Sequence, residues 1–224
     1  MLEHWIPPIR NRFTHADFDF LASVLAPGEQ RLHLEKLWGD PVALREMLDL
    51  KEVFRSVLDS PAAIQVSPRF YFYVLVRHAF LQAELCDAEL ADYVAGVMTK
   101  RICPCPEDPL QDIASGFTHA SDFIAILSNA KGRMRFHLQV AAGNQFLVLS
   151  GLYPDFLKRR AETQGSPDLE FYESFAQRAY RGAADNRQAA GTASRQLLGS
   201  LAEAMPAARR SLNRMAEEFV FLGD

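Results

Sequence analysis

The sequence predicts an all-α fold, a single-domain multi-helix bundle, and three observations carry that expectation. The first is a pair of apolar runs, PRFYFYVLVRHAFLQAEL over 68–85 and MRFHLQVAAGNQFLVLS over 134–150. Neither alternates with a period of two and both outrun a strand; the first is apolar on every side for two turns and the second is largely apolar, so both read as central helices enclosed by others. The second is punctuation. Asp40-Pro41, Ser60-Pro61, Ser67-Pro68, Asp108-Pro109 and Ser166-Pro167 each set a capping side chain before a proline whose missing N–H is harmless in a first helical turn. The third is the lack of any alternating strand pair joined by a hairpin turn.

Taken in order, residues 1–13 form an extended, proline-interrupted N-terminal arm. Thr14 with Asp17 three residues later resembles a capping box, and Phe18, Leu21, Ala22 and Leu25 recur at helical spacing until Pro27-Gly28. Short helices are expected over 29–37 and 41–58, the latter breaking near Leu50. After 68–85 the apolar stripe changes phase at Cys86-Asp87, so Leu90, Tyr93, Val94 and Val97 mark a new helix. Three prolines make 102–108 a Pro/Cys loop, followed by a helix over 109–129. Beyond 134–150, helices are expected over 154–160 and 167–184. RQAAGTASRQLLGSLAEAM and PAARRSLNRMAEEFVFL then read as two more, separated at Pro206.

A chain of 224 residues, 49% hydrophobic and with 16 Phe, can bury one large core over 1–224. The net charge of -4 argues against strong non-specific binding to nucleic acid or to an anionic membrane. No apolar run reaches the roughly 18 to 20 residues a bilayer span requires, and prolines stand where a secretory signal would be apolar. Three cysteines give no disulfide framework. These features fit a cytoplasmic protein of bacterial type.

The polar residues inside the two apolar runs are the candidate site. Tyr73, Arg77 and Glu84 fall near one line of the 68–85 helix, and Tyr71 and His78 near another. A guanidinium in a core must be paired or face a wet cavity, so Arg77 needs a partner such as Glu84 or helix carbonyls. His137 and Asn144 share a stripe of the second helix, with the small trio Ala141, Ala142 and Gly143 between them, which lets another helix approach closely. Were that neighbour the 68–85 helix, Arg77, His78, His137 and Asn144 would meet at one ligand site. Against this stands local satisfaction of each side chain by its own neighbours.

Other chemistry finds less support. His119 and Asp122 lie one turn apart without a nucleophile in a recognisable elbow. Cys103 and Cys105 lack the spacing and the second pair of a zinc site, and no Glu-x-x-His pair builds a di-iron centre. No phosphate loop or dinucleotide fingerprint occurs, so neither metal nor cofactor is expected.

Gly151, Tyr153, Pro154, Phe156, Phe171, Tyr172, Ala179 and Tyr180 form a pattern of an apolar run ending in a Gly-hydrophobic-Tyr-Pro turn, then an aromatic pair and a later Ala-Tyr. This pattern, over about 143–180, resembles a set of uncharacterised all-helical bacterial proteins. The resemblance implies a helical fold and carries no catalytic or binding residue with it. With every sharp catalytic signature missing, the expected function is a non-catalytic interaction or regulatory module. The alternative is an enzyme or small-molecule binding protein using the internal polar residues. The expected partners are accordingly another protein, a second copy of the chain, or a small molecule.

Overall fold

The computed structural model describes residues 10–26, 28–102, 120–189 and 191–219. The regular elements among them are all helical, and no strand occurs among the described residues. The chain, read from its sequence as one domain, gathers its contacts into two compact units, 10–99 and 100–219 of the described residues.

The first unit contains a 3-10 turn at Arg10–Arg12, then His15–Leu25 (α1), Arg31–Trp38 (α2), Pro41–Leu48 (α3) and Lys51–Asp59 (α4). Besides a 3-10 turn at Gly28–Gln30, another at Pro61–Gln65 leads into Pro68–Gln82 (α5), followed by Ala88–Ile102 (α6), whose last three residues are counted with the second unit. The described end of the N-terminal arm is therefore wound rather than extended. Asp49 and Leu50 break 41–58 where the sequence suggested, and Pro61 opens a 3-10 turn instead of an α-helix.

Local chemistry explains the starts. Thr14 accepts from the Asp17 N–H while the Asp17 carboxylate accepts from the Thr14 N–H, the reciprocal pair of a capping box. The Ser67 hydroxyl accepts from the Phe70 N–H ahead of Pro68. The same Asp17 carboxylate also accepts from the Ser67 N–H at 2.6 Å and the Ser67 hydroxyl at 2.8 Å. One fully buried side chain thus fixes the beginnings of α1 and α5 together.

Helix α5 is buried on every side, from Phe70 through Phe80 with only Tyr71 and His78 half-exposed. It stops at Gln82 rather than running to 85. The Glu84 N–H bonds back to the Leu81 carbonyl and the Leu85 N–H to the Phe80 carbonyl, with Glu84 at φ 60°, which is a left-handed helix stop.

The second unit comprises Ala120–Asn129 (α7), Gly132–Leu152 (α8), Pro154–Gln164 (α9), Leu169–Ala184 (α10) and Gly191–Phe219 (α11). Helix α8 is its centre, in contact with the other four. Asp168 rather than Ser166 caps α10, accepting from the Phe171 N–H at 2.8 Å. The expected pair of C-terminal helices is one helix with Pro206 inside it. A proline there removes one backbone bond, but Leu198, Leu201, Ala202, Met205, Ala208, Leu212 and Met215 form an unbroken buried stripe across it. Burial along that stripe outweighs the local break. The cysteine loop and His119 lie outside the described residues.

Candidate functional site

Of the residues singled out from the sequence, Arg77, His78, Tyr71, Tyr73 and Glu84 lie in the first unit. Arg77 is 4% exposed. Its Nε and Nη2 donate to the two carboxylate oxygens of Asp49, each at 2.8 Å, and its Nη1 donates to the Cys86 carbonyl at 2.8 Å. The guanidinium fork therefore binds the stop of α3 to the turn after α5, in the bidentate geometry that suits arginine. Hydrogen bonding to Asp49 pushes the Arg77 pKa further up, against the effect of burial. Glu84 is not its partner. It is exposed and lies past the end of α5, where the reversed backbone takes it off the Tyr73-Arg77 line.

His78 stacks face to face on Phe54 of α4, with ring centroids 3.5 Å apart, and its Nε2 accepts from the Gln82 amide at 2.9 Å. Tyr71 is half-buried, its phenol pushed up by burial.

Tyr73 is wholly buried between charged groups. The Arg10 guanidinium lies over its ring at 5.6 Å, and Phe13 meets it edge-on at 5.9 Å. Arg10 is held by Asp92, which accepts from both its backbone N–H and its Nε at 3.1 Å, and by Glu89. The Tyr73 hydroxyl has no hydrogen-bond partner among the described residues. Burial foremost, opposed by Arg10 and Arg77, pushes its pKa up to about 12.

In the second unit, His137 is buried and its Nε2 accepts from Arg133 Nε at 3.1 Å. Burial, then the Arg133 charge, holds its pKa below the ordinary value. Asn144 accepts from the Tyr180 hydroxyl at 2.9 Å. The close neighbour that the small trio admits is α10: a Cβ at Gly143 would sit 2.6 Å from the Tyr180 ring. Arg77, His78, His137 and Asn144 thus each have a partner within their own unit.

Two further arrangements escaped the sequence reading. Ser150 would normally bond the N–H four residues on, but that residue is Pro154. Asn213 of α11 instead donates to the carbonyls of Ser150 at 2.8 Å and Gly151 at 2.7 Å. Its own oxygen accepts from Arg209 at 2.7 Å, and Arg209 is paired with Glu173. Beside this relay a cleft of about 500 Å³ opens, lined by Lys158, Glu162, Asp168, Glu170, Glu173 and Arg209 among others. Among the described residues no cluster of three or more His, Cys, Asp or Glu side chains is arranged to hold a metal ion, and no helix is long and apolar enough to cross a membrane. Comparison with protein-family models, curated proteins and solved structures gave no match.

Proposed function

We propose that the protein is a non-catalytic interaction or regulatory module that works in the cytoplasm. The observation that supports this reading is the use made of Arg77. Three of its five N–H donors, one from each nitrogen, go to Asp49 and the Cys86 carbonyl, so the group best suited to recognise an anionic ligand is engaged in joining helices. Outward-facing apolar side chains of the first unit, Ile64 at 88% exposure and Leu32 at 69%, give a protein partner something to bury. The second reading, an enzyme or small-molecule binding protein using the internal polar residues Arg77, His78, His137 and Asn144, draws on one observation, the buried Tyr73 hydroxyl, which has no hydrogen-bond partner among the described residues.

Affinity capture with wild type and Ile64→Asp, run beside a thermal-shift screen of metabolite classes, tests the proposal. The module reading expects a protein retained by wild type and lost by the Ile64 variant at unchanged melting temperature. A small molecule that raises the melting temperature of wild type but not of Arg77→Met would overturn it in favour of the second reading.

A further inference from the structure

We draw no further inference here: the strongest candidate, the cleft among α9, α10 and α11, is a cluster of acidic residues whose two cations are already paired, Lys158 with Asp155 and Arg209 with Glu173, and nothing in the structure points to a ligand that fills it.

Discussion

Tyr73 places a phenol where phenylalanine would fit as well. Its hydroxyl is buried and has no hydrogen-bond partner among the described residues, so Tyr73→Phe removes a desolvated group without breaking a hydrogen bond to any of them. Denaturant melts should find the variant unchanged or stabilised by up to about 1 kcal/mol; a loss of stability would mean that the hydroxyl is bonded after all. The pH dependence has a definite sign. A phenol raised in the folded state to about 12 contributes stability that is complete below its unfolded value of 10.0 and disappears as pH rises through about 12. His137 behaves in the opposite sense. Its folded pKa lies below 6.5, so its contribution is complete above 6.5 and is lost as pH falls through the lower folded value. Stability measured across the window between that value and 6.5 should depend less on pH for His137→Gln than for wild type. An equal slope would show that other groups set the acid response.

At the scale of helices, both ends and contacts make predictions. Glu84 occupies a left-handed position that suits glycine, and its side chain is exposed. Glu84→Gly should stabilise the protein by about 1 kcal/mol in a thermal melt, because the backbone strain is relieved with nothing packed being lost. Gly143→Ala should do the reverse. The added methyl would meet the Tyr180 ring, forcing α8 and α10 apart at a cost of about 1 to 3 kcal/mol, with loss of the Tyr180 bond to Asn144. A neutral Gly143→Ala would contradict the close approach. Much of this scale was legible in the sequence because capping is local: Thr14 with Asp17, Asp40 and Ser67 all cap as their neighbours suggest. Pro206 misled for a physical reason. The penalty of a proline is local, whereas the stripe from Leu198 to Met215 that overrides it is buried by tertiary packing. Asn213 could not have been found either, since its role depends on a carbonyl 63 residues away.

Across the molecule, the all-α class follows from periodicity and punctuation that any reader of the chain can see. The pairing of its buried charges does not. Arg77 announces itself by standing in an apolar run, yet Asp49, 28 residues earlier, has no pattern to mark it, and sequence spacing pointed instead to Glu84. Arg10 with Asp92 is likewise a match of sign and position across 82 residues. Such pairs act as staples between elements distant in sequence. Denaturant melts of wild type and Arg77→Met without ligand test that most directly. The substitution keeps much of the aliphatic stem but leaves Asp49, whose side chain is 26% exposed, without its partner. Because water can reach that carboxylate, the expected loss is about 3 kcal/mol, the lower end of the range for a broken buried pair. An Arg77→Met protein as stable as wild type would contradict the account and return Arg77 to a ligand-facing role.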